Sequence, residues 1–258
     1  MTIFKATILL LITFVIASPI FSQDRITDKD EARSIFEEVE ERRISVSTET
    51  AKMKMVITDN RGRTRTREMR MWASVENDVN SSLIVFENPG NVRGTAFLSV
   101  DENGSRNQRL YLPSVGRVQT ITSSERGDRF MGSDFTYEDL GDQSADDYEF
   151  EWLEETEDQF IIKATKPGSE QYSSVQFFIN IEKYTLEEIH YFDDNGEKIK
   201  RLISEEFEQI TDELWMPQKM TMYDLRDDRN TEISWTEREI NVSIPDWRFT
   251  ERGLRRGI

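Results

Sequence analysis

The stretch that decides the fold runs from residue 94 to residue 140. It reads GTAFL at 94–98, RLYLP at 109–113, GRV at 116–118, FMGSDF at 130–135 and YEDL at 137–140. The first two runs have the apolar and aromatic content of strands, and the Leu-Pro pair stops the second one. Gly132 permits a tight turn, and Ser133 or Asp134 can cap a short helix after it. The stretch therefore predicts two strands followed by a turn and a short helix.

This order of motifs resembles the outer-membrane lipoprotein-sorting family, the LolA-like proteins. The resemblance implies a mainly β fold: a single antiparallel sheet curved into an incomplete half β-barrel. It also implies that an N-terminal helix and a short helix cover the concave apolar face of this sheet. A periplasmic location, the absence of a catalytic motif and a concave face that takes acyl chains follow from the same resemblance.

The sequence outside this stretch agrees with an all-β fold. Turn sequences separate strand-like runs at 59–62 (DNRG), 88–91 (NPGN), 101–104 (DENG) and 193–196 (DDNG). Their Asn, Asp and Gly residues tolerate positive φ, so each turn predicts an antiparallel hairpin. Before the first strand, an apolar stripe of Ala32, Ile35, Phe36 and Val39 predicts an amphipathic helix that must cover an apolar surface.

Alternation along the predicted strands places apolar side chains two residues apart on shared faces. Methionine recurs in these stripes, and its flexible thioether adapts to ligands of variable shape. Ordinary core filling is the better explanation for any single methionine, but their number favours a cavity lining. We expect the lipid cavity to be lined by Met53, Met55, Met69, Met71, Phe97, Tyr111, Phe130, Met131, Phe135, Phe177, Met220 and Met222.

Two parts of the 94–140 stretch, the segment 130–140 and three arginines, each have two possible roles. The segment 130–140 is either a lid over the cavity mouth or a fixed plug that closes the end of the barrel. Arg109, Arg117 and Arg126 form a candidate polar rim that would bind a lipid phosphate or a cargo carboxylate. Their alternative role is in surface ion pairs with the abundant acidic residues.

The N-terminus predicts export. Lys5 precedes an apolar run that is too short for a membrane-spanning helix, so we expect a signal peptide at residues 1–22, cleaved near Ser22. The remainder, 23–258, is then one LolA-like lipid- or lipoprotein-binding domain. The chain has no cysteine, which excludes a disulfide framework, a thiolate metal site and a lipid anchor on cysteine. We expect a periplasmic monomer without stable membrane insertion.

Composition and motifs argue against several other classes of protein. The formal net charge of −17 disfavours nucleic acid as a partner because phosphates would be repelled. His190 is the only histidine, and neither a nucleotide-binding motif nor a nucleophile elbow occurs. We therefore expect no enzyme activity, no catalytic residue, no metal and no cofactor.

Three functions remain. The first is a periplasmic carrier that moves a lipoprotein or lipid between the inner and outer membranes by its acyl chains. The second is a periplasmic lipid-binding accessory subunit of an inner-membrane exporter of the RND type, with that transporter as partner. The third is a non-catalytic scaffold whose cavity is filled by its own side chains.

Overall fold

The computed structural model describes residues 28–257 apart from residues 103, 142, 168 and 170. The predicted signal peptide at residues 1–22 lies outside the described residues. Within them, the chain forms α1 (Asp28–Ile44), thirteen strands and α2 (Glu251–Arg256). The strands are β1 (Thr48–Thr58), β2 (Thr64–Glu76), β3 (Val79–Asn88), β4 (Ala96–Glu102), β5 (Ser105–Leu112), β6 (Arg117–Ile121), β7 (Glu149–Glu155), β8 (Gln159–Thr165), β9 (Ser174–Asn180), β10 (Leu186–Phe192), β11 (Lys198–Gln209), β12 (Trp215–Asp224) and β13 (Arg229–Ile240).

All thirteen strands belong to one antiparallel sheet. Its spatial order is β6-β5-β4-β3-β2-β1-β13-β12-β11-β10-β9-β8-β7. The chain therefore meanders from β1 to one edge at β6, crosses to the other edge at β7, and returns until β13 pairs with β1. The edge strands β6 and β7 do not pair, so the sheet curves into a half-barrel that is not closed. The predicted fold class is confirmed.

Alternation along the strands builds the core on the concave face. In β1, Ala51, Met53, Met55 and Ile57 are buried while the residues between them are more exposed. The same pattern in the other strands produces one large apolar cluster beneath α1. Because side chains two apart share a face of a strand, a run of alternating residues suffices to define this surface.

Helix α1 covers one side of the concave face. Ala32, Ile35 and Phe36 are buried, as the apolar stripe predicts. The ring centroid of Phe36 lies 4.8 Å from that of Phe177 and 5.3 Å from that of Phe150. Acidic residues occupy the first turn of the helix and basic residues the last, which suits the helix dipole.

The connection between the two edge strands, residues 122–148, also packs on the concave face. Phe130 is fully buried and contacts the rings of Phe86, Phe97 and Tyr137, with centroids 5.3–5.7 Å apart. The predicted short helix after Gly132 does not form, because Thr136 pairs with Arg129 in an isolated β-bridge and residues 137–140 form a turn. The helical residues precede it instead, in a single 3-10 turn, Phe130–Gly132, in which Met131 and Gly132 adopt positive φ.

Buried polar contacts hold this connection to the sheet. The backbone N–H of Asp134 donates to Thr231 Oγ1 at 2.9 Å, and that hydroxyl donates to the Asp134 carboxylate at 2.7 Å. Farther along, Lys200 Nζ donates to the hydroxyl of Tyr172 at 2.9 Å, and Tyr172 donates to the carboxylate of Asp139 at 3.0 Å. Burial raises the pKa of Tyr172, with Asp139 adding to the shift. These contacts favour a fixed plug over a lid.

The opposite face of the sheet carries a second, smaller apolar cluster. Leu254 of α2 is fully buried against Trp72, Leu83, Val85 and Leu98. The guanidinium of Arg248 lies 4.2 Å from the centroid of the Trp72 ring. The C-terminal residues thus cover the convex side of β2 to β4.

Candidate functional site

A cavity of about 350 Å³ lies between α1 and strands β10 to β13 on the concave face. Its volume is within the range of about 300–1,000 Å³ that is typical of small-molecule sites. Many of the apolar side chains around it are only half-buried, because they face the space rather than one another. They include Met71, Tyr184, Leu186, Phe207, Trp215, Met216, Met220 and Trp235. A ligand with an apolar chain would remove this surface from water.

A bulge in β13 directs a side chain toward the larger cavity. In the pairing of β1 with β13, Lys52 faces Thr236 and Thr50 faces Glu239, so Glu237 and Arg238 together oppose Ala51. Glu237 has a φ of 50°, in the left-handed region that non-glycine residues seldom adopt. Such a bulge re-aims side chains, and here both Trp235 and Arg238 reach the cavity although they are three residues apart.

A second cavity of about 230 Å³ adjoins the first beneath β1 to β4. The residues that line both are Arg43, Glu49, Met71, Gly141 and Met216. The lining of the second includes Ser82, Ser99, Asn80 and Asp101 beside apolar residues such as Val46, Ala73 and Val75. A strongly apolar space thus continues into one that is more polar, as an amphiphilic ligand would require.

Basic side chains border the larger cavity. The guanidinium of Arg42 lies 4.4 Å from the centroid of the Tyr184 ring and donates to the carbonyl of Lys183 at 3.1 Å. The ammonium of Lys183 lies 4.4 Å from the centroid of the Trp215 ring. These contacts fix the end of α1 against the turn between β9 and β10, and place positive charge at the cavity of an acidic protein.

An ion pair lies where the two cavities meet. Arg238 Nε donates to the carboxylate of Glu49 at 2.8 Å, and Arg238 Nη2 donates to the carbonyl of Pro217 at 3.2 Å. Both side chains are nearly buried, with 7% of Arg238 and 11% of Glu49 exposed. Burial raises the pKa of Glu49 above its ordinary value, and the charge of Arg238 offsets part of this rise.

The expected lining residues fall into four groups. Met71 and Met220 line the larger cavity. Met131 is half-buried against the core. Tyr111 belongs to the cluster on the opposite face, because adjacent residues of β5 point to opposite sides and Leu110 takes the concave one. The others are packed in the main core with at most 5% exposure: Met53, Met55, Met69, Phe97, Phe130, Phe135, Phe177 and Met222.

The expected rim arginines lie elsewhere. Arg109 donates to the side chain of Asn107 at 3.0 Å, Arg117 is exposed on β6, and Arg126 donates to the carbonyl of Arg106 at 2.9 Å. None of the three is among the described residues that line either cavity. The basic residues at the larger cavity are Arg42, Arg43, Lys183 and Arg238, and they carry no distinguishing sequence pattern. Arg42 and Arg43 lie in the last turn of α1, Lys183 lies in the turn before β10, and Arg238 follows the bulge in β13.

Two observations bear on other functions. Among the described residues, no group of three or more His, Asp or Glu side chains is arranged to hold a metal ion. No helix in the described part of the chain is long and apolar enough to cross a bilayer.

Known proteins share this architecture. An outer membrane lipoprotein-sorting protein domain from Vibrio parahaemolyticus superposes with a TM-score of 0.83 at 26% identity, covering 88% of this chain and 99% of that one. A DUF1329 family protein from Desulfovibrio piger gives 0.82 at 22% identity, covering 88% and 99%. A LolA superfamily protein from Nitrosomonas europaea gives 0.68 at 19% identity, covering 85% and 97%.

Sequence comparison gives the family. No curated protein matches the sequence significantly. A protein-family model described as "Uncharacterized protein" matches residues 78–256, which is more than half of the chain. The chain therefore belongs to the family of that model and has the LolA-like fold of the outer-membrane lipoprotein-sorting proteins.

Proposed function

We propose that the protein is a periplasmic, non-catalytic carrier that binds an acyl chain of a lipoprotein or lipid and moves it between the inner and outer membranes. In this proposal residues 1–22 direct export and are removed, and the domain 23–258 acts as a soluble monomer. The observation that carries the proposal is the cavity of about 350 Å³ with its half-buried aromatic and aliphatic lining.

The energetics of this cavity support a chain-like ligand. Each methylene moved from water into an apolar site contributes about 0.8 kcal/mol. Flexible methionines such as Met71, Met216 and Met220 adapt to chains of different length and saturation. An unfilled space of this size also favours a carrier over a scaffold whose cavity is filled by its own side chains.

The experiment is native mass spectrometry of the mature protein, purified from its own periplasm without detergent, followed by solvent extraction. We expect a stoichiometric adduct that contains an acyl chain, and its mass distinguishes lipoprotein from lipid. A protein that is recovered free of adduct and also fails to bind added acyl lipids would contradict the proposal. Recovery together with an inner-membrane transporter would instead support the accessory-subunit role.

A further inference from the structure

Two buried groups at the larger cavity have no hydrogen-bond partner among the described residues, the hydroxyl of Thr185 and one nitrogen of Arg238. Arg238 Nη1 is buried and unpaired among the described residues, whereas Nε and Nη2 of the same side chain bind Glu49 and Pro217. Arg238 lines the larger cavity and only 7% of its side chain is exposed. Leaving a buried donor unsatisfied is unfavourable, and native proteins seldom do so without a reason.

The placement of this donor requires a departure from regular strand geometry. Arg238 points inward only because the bulge at Glu237 puts two residues of β13 opposite Ala51. Glu237 adopts a strained left-handed φ of 50° to allow it. Strain of this kind persists where surrounding structure holds it in place, and bulges are over-represented beside binding sites.

The charge of the site decides which acceptor suits the donor. The carboxylate of Glu49 already balances the guanidinium of Arg238 at 2.8 Å. An anionic ligand oxygen at Nη1 would lie beside the Glu49 carboxylate, which repels it. A neutral carbonyl oxygen satisfies the donor without this penalty.

The position of Arg238 matches the chemistry of an acylated molecule. The Trp235 ring lies beside its guanidinium, at 5.7 Å from the ring centroid, in the apolar cavity. Its partner Glu49 lines both that cavity and the adjoining, more polar one. A carbonyl at this junction would direct a hydrocarbon chain to one side and a polar head to the other.

We propose that Arg238 Nη1 binds the carbonyl oxygen that heads an acyl chain, an ester of a glycerolipid or an amide of an N-acylated protein. The chain occupies the cavity of about 350 Å³, and the polar head enters the adjoining, more polar cavity. This assignment rests on the proposed function and adds to it a specificity for acyl over alkyl chains.

The test compares ligands that differ only in the group that joins the chain to the head. Monododecanoylglycerol, its ether analogue mono-O-dodecylglycerol and its amide analogue N-dodecanoyl-3-amino-1,2-propanediol are titrated into the mature protein by calorimetry, below their aggregation concentrations. We expect the ester or the amide to bind about ten-fold more tightly than the ether, because a charged donor discriminates strongly against a missing acceptor. A tighter amide indicates an N-acylated protein as cargo, and a tighter ester indicates a glycerolipid.

Two variants test whether Arg238 causes the preference for ligands with a carbonyl. Glu49→Gln retains the guanidinium and should keep the preference for the carbonyl. The double variant Glu49→Gln with Arg238→Met, which leaves no unpaired carboxylate, should bind all three ligands with the affinity of the ether. Circular dichroism verifies that each variant is folded.

The contrary results separate the two proposals. If the parent protein binds ester, amide and ether equally, the carbonyl assignment is wrong and the carrier function stands. A double variant that still prefers the carbonyl also overturns the role of Arg238. If the parent binds none of the three ligands, the carrier function fails and the assignment fails with it.

Discussion

Arg238 of β13 and Glu49 of β1 form an ion pair at 2.8 Å between two adjoining cavities of the concave face. The pair exists because a bulge at Glu237 turns Arg238 inward. It places two nearly buried charges beside the aromatic lining of the larger cavity. The strain at the bulge, the effect of the pair on stability and its part in ligand binding can each be tested.

The first prediction concerns the pH dependence of stability. Burial raises the pKa of Glu49 above its ordinary value of 4.5, so the folded protein retains a proton that the unfolded chain releases. The contribution of Glu49 to stability therefore falls as the pH rises from about 4.5 through the folded-state pKa. Urea unfolding between about pH 4 and pH 7 should show the parent losing stability relative to Glu49→Gln. A difference that does not change with pH would contradict the raised pKa.

A second prediction concerns the bulge. Valine is favoured in strands, yet its branched side chain resists positive φ. Glu237→Val should therefore lower the free energy of unfolding by about 1–2 kcal/mol relative to Glu239→Val, which lies in the same strand without positive φ. Urea unfolding measures both variants. Equal stabilities would mean that the strain at residue 237 is absent in solution.

A third prediction concerns the plug. Phe130 is fully buried among Phe86, Phe97 and Tyr137, so Phe130→Ala should destabilise the protein by about 3–5 kcal/mol. Val115, with 61% exposure, provides the control, and Val115→Ala should stay within about 0.5 kcal/mol of the parent. Thermal or urea unfolding gives both values. A small loss for Phe130→Ala would indicate that the segment opens as a lid.

A fourth prediction concerns lipid binding. Leu186 is half-buried at the wall of the larger cavity, whereas Leu225 is 46% exposed. Leu186→Asp should weaken the binding of an acyl lipid at least about ten-fold, because the carboxylate must be desolvated beside the chain. Leu225→Asp should bind like the parent in the same titration. Comparable affinity for both variants would place the ligand outside this cavity.

A fifth prediction concerns the C-terminal helix. Leu254 is fully buried on the convex face, and Leu254→Ala should cost about 2–5 kcal/mol of stability. Arg252→Ala, on the exposed side of α2, should change stability little. Acyl-lipid affinity should be the same in both folded variants, since α2 lies across the sheet from the cavity. A loss of affinity in Leu254→Ala would show that the two faces are coupled.

Much of the fold could be predicted from local patterns. Alternation in β1 and β9 and the turn residues at 59–62 and 193–196 act over a few residues, so they are readable in the sequence. The stripe of α1 is equally local, and its buried residues are those expected. The motifs between residues 94 and 140 led to the LolA-like family, which the structure and the comparisons with known proteins support.

The position of the cavity could not be predicted in this way. Alternation indicates which face of the sheet a side chain lies on, but not whether neighbours fill the space beside it. Met55 and Met220 lie on the same face, yet Met55 is packed in the core and Met220 borders the cavity. Tyr111 lies on the convex face, away from the cavity. Its strand β5 has apolar residues on both faces, and α2 covers the convex one. Arg238 reaches the cavity through a bulge that depends on the pairing of β13 with β1.

The sequence by itself determined the antiparallel strands, the amphipathic helix and the resemblance to lipoprotein-sorting proteins, because these depend on the periodicity and turn preferences of neighbouring residues. Only the tertiary structure decided which apolar residues fill the core and which border open space, and that Arg238 is buried at the larger cavity with an unpaired donor. These features arise from contacts between strands far apart in the chain, such as Glu49 with Arg238 and Asp134 with Thr231.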